Sequence, residues 1–233
     1  MPSFDPPPEL IGFSGRAPLF PLPNAAFFPQ VLLPLHIFEP RYRQMTADVL
    51  DGERLIAMAT LRPGWEARPD SKPAPIYEQV CLGRITANEK LDDGRYYIVL
   101  QGLSRARVVS EEVNDVPYRV AQLELRPERF TANPAIDRQN RRREIMAAFH
   151  DLHPKLQFEK LLHEAVEMTG SLGLVCDVVA ASLQLPPERA QEILAEEDID
   201  LRSDLVLMRL RELRRKSQGP PRQPNFPPDF SAN

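Results

Sequence analysis

Prolines divide the apolar stretch Leu19–Arg43 so regularly that they limit where its strands can lie. Proline has no amide hydrogen and a fixed φ, so within a sheet it is confined to an edge strand, a strand end or a bulge. Pairing must therefore stop, bulge or lie at an edge at Pro23, Pro29, Pro34 and Pro40. The stretch predicts a strand, a turn, a bulged strand and a short helix.

The first half of the chain is predicted to be mostly β-structure, built around that stretch. An Asp-Gly between two β-rich runs is a strong hairpin signal, and Asp93-Gly94 supplies one. Gly102 predicts a bend or bulge. The predicted strands are Ala17–Leu22, Val31–Phe38, Arg54–Leu61, Gln79–Leu91, Arg95–Gln101, Ala106–Val109 and Tyr118–Leu125. Six or seven strands with one short helix, Arg41–Leu50, fit a small, partly closed barrel.

The second half changes to helical periodicity after Asn133-Pro134, and it predicts five short helices around a core of their own. Leu174–Leu183 is expected to be the most buried helix. The last, Asp198–Lys216, would place on its core face Leu201, Leu205, Met208 and Leu213. The fold class is thus α+β, with a mobile N-terminal segment (1–16), a barrel (17–130), a helical lobe (131–217) and a disordered, proline-rich tail (218–233).

Three segments of the chain are similar to a known family, the Lon protease N-terminal, substrate-binding domain. Phe20-Pro21-Leu22-Pro23, Phe28-Pro29 and Leu32–Glu39 resemble its opening. Cys81–Ile85 and Tyr97–Val108 resemble its G-x-I strand and its V-x-G-x-x-R-x-R-V strand, and Leu172–Leu213 is a looser match to its helical tail.

The resemblance implies a PUA-like β-barrel followed by an α-helical bundle lobe. It also implies a non-enzymatic module that recognises unfolded or specific protein clients and that has a separate protease as a candidate partner. Full Lon carries an ATPase module and a Ser–Lys protease domain after this region, whereas this sequence ends at Asn233. Neither activity is expected of this chain.

The sequence predicts no catalytic residue, no cofactor and no metal. The sequence has no G-x-S-x-G and no nucleotide-binding glycine motif, so an unrecognised hydrolase is the weakest hypothesis. His150 and His153 have a spacing that can hold a metal on a helix, but Pro154 follows and no further ligand completes the set. His36, within an apolar strand, is expected to be a hydrogen-bonded structural residue.

The two cysteines and the grouped arginines are predicted to have structural roles. Cys81 and Cys176 lie in separate apolar runs and are predicted to be buried free thiols. Arg105 and Arg107 alternate on a strand and, like Arg141-Arg142-Arg143, are expected to form solvated faces with salt bridges.

The net charge of −4 argues against nucleic acid. RNA binding remains the alternative function because PUA domains bind structured RNA.

The loop Arg62–Tyr77 has four prolines and no periodicity, and long loops on compact domains often carry binding sites. Trp65 would either close the barrel end or contact a partner. The predicted protein-binding residues are Phe27, Phe28, Trp65 and Tyr77, acting as exposed apolar groups or alongside strand addition at an open edge.

The N-terminus has no signal-peptide pattern, and no apolar run approaches the ~20 residues of a membrane span. The expected compartment is the cytoplasm, with no membrane association.

Overall fold

The computed structural model describes residues 7–23, 26–67, 73–130, 136–152 and 171–217. These ranges hold six strands, five α-helices and two 3-10 turns, Pro8–Leu10 and Trp65–Ala67. The strands are β1 Arg16–Leu22, β2 Leu32–Ile37, β3 Leu55–Thr60, β4 Gln79–Lys90, β5 Tyr96–Glu111 and β6 Val120–Arg126. The helices are α1 Pro40–Leu50, α2 Arg138–Leu152, α3 Leu172–Ser182, α4 Pro187–Ala195 and α5 Ile199–Ser217. The α+β class is confirmed. The predicted helix Lys155–Met168 and the C-terminal tail lie outside the described residues.

One mixed sheet contains all six strands, in the order β2-β5-β4-β3-β1-β6. The pairing closes on itself because β6 pairs with β5 as well as with β1. The 16-residue β5 makes this possible. Its first half pairs with β2, from Tyr96 to Gln101, and its second half pairs with β6, from Arg105 to Glu111. As a result, β2 lies outside the closed circuit of five strands and forms an edge.

Pro34, Pro40 and Gly102 lie where backbone sterics favour these residue types. Pro34 lies in the edge strand β2, and Pro40 is the first residue of α1, where its missing N–H costs nothing. Gly102 does not end a strand but sits at a bulge, since Gly83 pairs with Gly102 whereas Leu82 pairs with Ser104. A Cβ at Gly102 would collide with the backbone carbonyl of Phe28, so only glycine allows this close approach.

Two buried clusters stabilise the fold. One contains Leu10 and residues from all five strands of the circuit, Leu19 and Leu82 among them. The other joins strand residues such as Leu100 to helix residues such as Ile145 and Val206. The sequence predicts a separate core for the helices. The structure shows instead that the described helices share one buried cluster with the sheet.

The buried face of α5 differs in part from the predicted one, since Leu205 and Leu213 pack against the shared core but Leu201 and Met208 do not. Leu201 and Met208 are 53% and 38% exposed, whereas Val206 and Leu210 are 0% and 1% exposed. The apolar pattern misleads because the buried stripe also contains Arg202, a charged side chain with no exposed surface. A stripe that includes buried arginine does not stand out in a hydrophobic periodicity.

A buried ion pair connects the sheet to the helices. Arg105 on β5 donates from Nη1 to Oδ2 of Asp177 on α3 at 2.9 Å and from Nη2 to Oδ1, and both side chains are 2% exposed. Its Nε donates to the carbonyl of Leu194 at 3.1 Å. The prediction of a solvated face is wrong for Arg105 because α3 covers it. It is confirmed for Arg107, whose guanidinium pairs with Glu124 at 2.7 Å on the surface.

Both cysteines are buried free thiols, as predicted. Burial disfavours the thiolate, which raises the pKa of Cys176 to about 12 and raises the pKa of Cys81 as well. Neither thiol is a nucleophile in this environment.

Candidate functional site

No described element covers one side of the sheet formed by β2, β5 and β4, and we call this side the outer sheet face. Side chains alternate across a strand, and the burial of β5 alternates with them from Tyr96 to Gln101. Two cross-strand rows cross the face: His36, Tyr97 and Glu89, and Pro34, Val99 and Ala87. The full face comprises Leu32, Pro34, His36, Phe38, Ala87, Glu89, Tyr97 and Val99.

Large apolar and aromatic groups are exposed on this face. Leu32 and Phe38 are each 60% exposed, and Tyr97 is 49% exposed. The ring of His36 stacks on that of Tyr97, with centroids 4.7 Å apart and planes 25° apart, and the Phe38 centroid lies 5.8 Å from that of His36. His36 is therefore an exposed member of an aromatic cluster, where the sequence predicts a structural hydrogen bond within the strand.

A shallow groove of about 540 Å³ runs over the two rows. Its walls are mostly apolar, from Pro34 on β2, Val99 and Tyr97 on β5, and Ala87 on β4. The side chains stand on paired strands, so the groove needs no loop to order before a ligand can contact it. It can accept an extended, partly apolar chain.

The free edge of β2 borders the same face. Among the described strands, β2 pairs only with β5. An unpaired edge presents backbone N–H and C=O groups to any extended chain, and natural edges are protected by short length and by proline. β2 has six residues and contains Pro34. The short length of β2 and its proline limit uncontrolled strand pairing, and they leave a short segment of backbone available for hydrogen bonding.

Phe27 and Phe28, predicted as surface contacts, are in the core. They are 3% and 1% exposed, and both belong to the cluster shared by sheet and helices. The Phe27 ring packs against the position of Gly83, and the Phe28 backbone approaches Gly102. The segment after β1 folds inward over the sheet, so neither ring faces solvent.

Trp65 and Tyr77 are half-buried at the two ends of the proline-rich loop. Those ends are joined, because Arg62 N donates to Pro75 O at 2.8 Å and Tyr77 N donates to Thr60 O at 3.0 Å. The Arg62 guanidinium lies 5.2 Å from the centroid of the Tyr77 ring. Partial burial and the nearby Glu188 carboxylate raise the pKa of Tyr77. Residues 68–72 between them lie outside the described ones.

The structure therefore does not bring the four predicted contact residues together: two are core residues and two border the loop. The sequence interpretation also missed Phe38 and Tyr97. The available signal was that neighbouring residues from Tyr96 to Val99 are all apolar or aromatic, so both sides of that strand carry apolar groups. In the structure, no described element covers the side that carries Tyr97.

The described ranges contain neither a metal cluster nor a membrane-spanning helix. No group of three or more His, Cys, Asp or Glu residues there could hold a metal ion. His153, half of the candidate metal pair, lies outside those ranges. No helix in the described part of the chain is long and apolar enough to cross a membrane.

Residues 16–212 match the family described as the ATP-dependent protease La (LON) substrate-binding domain. This chain belongs to that family. The match confirms the resemblance drawn from the strand motifs, and it extends from β1 almost to the end of α5. The matched part of the family is its substrate-binding domain, not a catalytic one.

The similarity to curated relatives agrees with this assignment. The chain is 29% identical to the Lon protease of Anaeromyxobacter dehalogenans over 86% of its length and to Lon protease 2 of Myxococcus xanthus over 89%. It spans only about a quarter of the length of these curated relatives, 24% and 25% respectively.

Two solved structures share the fold. The N-terminal domain of the Mycobacterium avium complex Lon protease aligns with a TM-score of 0.63 at 12% identity, covering 84% of this chain and 98% of that one. A Lon N-terminal domain protein from Xanthomonas campestris aligns with a TM-score of 0.56 at 19% identity, covering 83% and 97%.

Proposed function

We propose that this chain is a non-catalytic polypeptide-binding module that holds unfolded or specific protein clients on its outer sheet face. The closed sheet would be the PUA-like barrel that the family resemblance implies, with the helices as its second lobe. The observation that carries the proposal is the exposed cluster of Phe38, His36 and Tyr97 on ordered strands. Membership of a substrate-binding family supports it.

The physical argument concerns what a folded protein gains by exposing these groups. Contiguous apolar surface is uncommon on monomers and marks interaction sites, and aromatic side chains dominate the energy of such interfaces. Here the aromatic rings border a groove and a free strand edge. A client could therefore be held by apolar contacts in the groove and by backbone hydrogen bonds at β2.

The proline-rich loop is a second proposed contact region. Trp65 begins a 3-10 turn there and remains half-buried, and Tyr77 lies at the opposite end. Replacing Trp65 by Ala should weaken client binding without unfolding the sheet. Equal affinity of Trp65→Ala and the parent protein would remove the loop from the proposal and leave the outer sheet face.

The proposed partners are protein or peptide clients and a separate protease that receives them, and the proposed compartment is the cytoplasm. The curated relatives are Lon proteases that carry a matching region within a longer chain. A protease that co-purifies with this protein from native lysate would support the delivery role. Nothing in the described surface favours RNA over polypeptide, since arginines such as Arg107, Arg138 and Arg211 are paired with carboxylates.

The test compares two phenylalanines of equal exposure. Phe38 on the outer sheet face is 60% exposed, and Phe130, after β6, is 63% exposed. A fluorescein-labelled, permanently unfolded client, such as reduced and carboxymethylated lactalbumin, is titrated with each variant and followed by fluorescence anisotropy. Phe38→Ser should weaken binding about five- to thirtyfold, as expected for a hot spot worth ~1–2 kcal/mol.

Phe130→Ser removes a similar apolar area elsewhere and should bind like the parent protein. Equal losses in both variants would mean that the client adheres to any exposed apolar group. No loss in either would mean that the outer sheet face is not the client site. Circular dichroism on each variant checks that the fold is retained.

A further inference from the structure

Among the described residues that line the groove, Glu89 is the one with a formal charge, and the cation on this side of the sheet, Arg84, lies outside the groove in the row of Leu32 and Gln101. Glu89 ends the row that His36 and Tyr97 begin, and its side chain is exposed. Among the described residues, no ion pair or hydrogen bond is found for the Glu89 carboxylate. An anionic group at the margin of an otherwise apolar groove gives the site an electrostatic preference.

The neighbouring cations do not neutralise this carboxylate. Because side chains alternate along β4, Asn88 and Lys90 face the opposite side from Ala87 and Glu89. The Lys90 ammonium lies 5.6 Å from the centroid of the Tyr96 ring, which is buried. Arg54 reaches the strand from that side too, and its Nη2 donates to Asn88 Oδ1 at 2.5 Å.

Beyond the other margin of the face, past Phe38, the charges cancel. Arg41 Nη2 lies 2.9 Å from Glu39 Oε2 in an exposed pair. The distance across the groove from β2 to β4 is two strand spacings, about 10 Å. One extended chain lying over Pro34, Val99 and Ala87 would then place a long side chain within reach of Glu89.

We propose that the outer sheet face selects extended client segments in which apolar residues are accompanied by lysine or arginine, with Glu89 as the residue that determines this preference. This inference rests on the proposed function, because it names the class of client held at the same surface. The aromatic cluster supplies the affinity. Glu89 supplies the discrimination, favouring cationic over anionic segments of equal hydrophobicity.

The experiment uses two short fluorescein-labelled peptides in which Tyr and Val alternate with Ser. They differ at one position, Lys in one and Glu in the other. Anisotropy titrations at low salt and pH 8, where histidine ordinarily carries no charge, should show the Lys peptide binding about two- to fivefold more tightly, the range for one exposed charge pair. The preference should shrink at high salt.

Variants of this exposed residue separate charge from shape. Glu89→Gln should abolish the preference for the Lys peptide, and Glu89→Lys should reverse it. Glu53→Gln, on the exposed turn after α1, is the matched control and should keep the parent preference.

The outcomes distinguish the two levels of the proposal. Equal binding of both peptides, unaffected by Glu89→Lys, would overturn the charge preference and leave polypeptide binding in place. Failure of both peptides and of the unfolded client to bind the parent protein would overturn the proposed function together with the inference. Reversal by Glu89→Lys alone would establish both.

Discussion

Replacing Asp177 by Asn should destabilise the protein more than any surface charge substitution, because it leaves the buried Arg105 with only the partly exposed Glu128 as a counter-ion. Asp177 accepts two hydrogen bonds from Arg105, and both side chains are 2% exposed. Burial alone would lower the pKa of Arg105, but the Asp177 carboxylate outweighs this effect and the pKa lies above its ordinary value. Arginine therefore cannot relieve the loss by giving up its proton.

The magnitude follows from what remains around Arg105. Removing one partner of a buried ion pair costs about 3–5 kcal/mol. Glu128 offers partial compensation, since its Oε1 lies 3.6 Å from Arg105 Nη1, but it is 40% exposed and already pairs with Arg202. The lower end, about 3 kcal/mol, is therefore expected. For a chain of this size that loss lowers the melting temperature by roughly 6–12 °C.

Urea unfolding followed by circular dichroism measures the change, and two further variants make it interpretable. Arg107→Gln, two residues along the same strand, breaks an exposed pair and should leave the unfolding midpoint unchanged. The double variant Arg105→Met/Asp177→Leu replaces both charges by apolar groups and should recover most of the stability. A midpoint for Asp177→Asn equal to that of Arg107→Gln would refute the reasoning, as would a double variant less stable than Asp177→Asn.

Three more predictions test the fold. Gly102→Ala should cost about 1–3 kcal/mol or more in urea unfolding, because the added methyl group collides with backbone. Leu207→Ala, at 2% exposure, should lose about 2–5 kcal/mol, whereas Leu201→Ala on the same helix should lose less than about 1 kcal/mol, a difference that differential scanning fluorimetry resolves. Cys81 and Cys176 should resist a thiol reagent until urea unfolds the protein. Since burial raises the pKa of both thiols, to about 12 for Cys176, their contribution to stability is present below pH 9 and is lost as pH rises from 9 towards 12; a flat urea midpoint across that range would contradict this.

The order in which strands and helices follow one another along the chain could be predicted from the sequence, because neighbouring residues mark the turns and the element ends. Asp93-Gly94 marks the hairpin, and Pro40 marks the end of β2 pairing. The helix predicted to start at Arg41 begins one residue earlier, at Pro40 itself. The failures arose where the deciding contact is distant in sequence. Arg105 looked like half of an exposed arginine pair, and only the packing of α3, 72 residues away, shows that it is buried. Charge alone cannot tell a strand position under a helix from one in solvent.

The candidate site shows the same difference between features that the local sequence predicts and features that depend on contacts between distant residues. A run such as Phe27-Phe28-Pro29 beside a turn is equally consistent with an exposed contact and with a segment that folds inward, because the pattern does not say which neighbour covers it. Tyr97 is the opposite case, since its neighbours Tyr96 and Ile98 do not tell whether its own side of the strand is covered. Its 49% exposure depends on the absence of any described element over β2, β5 and β4, which is a property of the assembled topology.

That topology also explains why the exposed face lies where it does. The closed circuit uses the second half of β5 to pair with β6, so only its first half is left for β2. β2 is thereby held outside the circuit, with one side of its residues packed on the shared core through Ile37 and the other facing solvent. Two paired strands fixed by a core on one side hold His36 on β2, Tyr97 on β5 and Phe38 just after β2, so little entropy is lost on binding. The same anchoring that makes the fold stable therefore preorganises the surface proposed to bind clients.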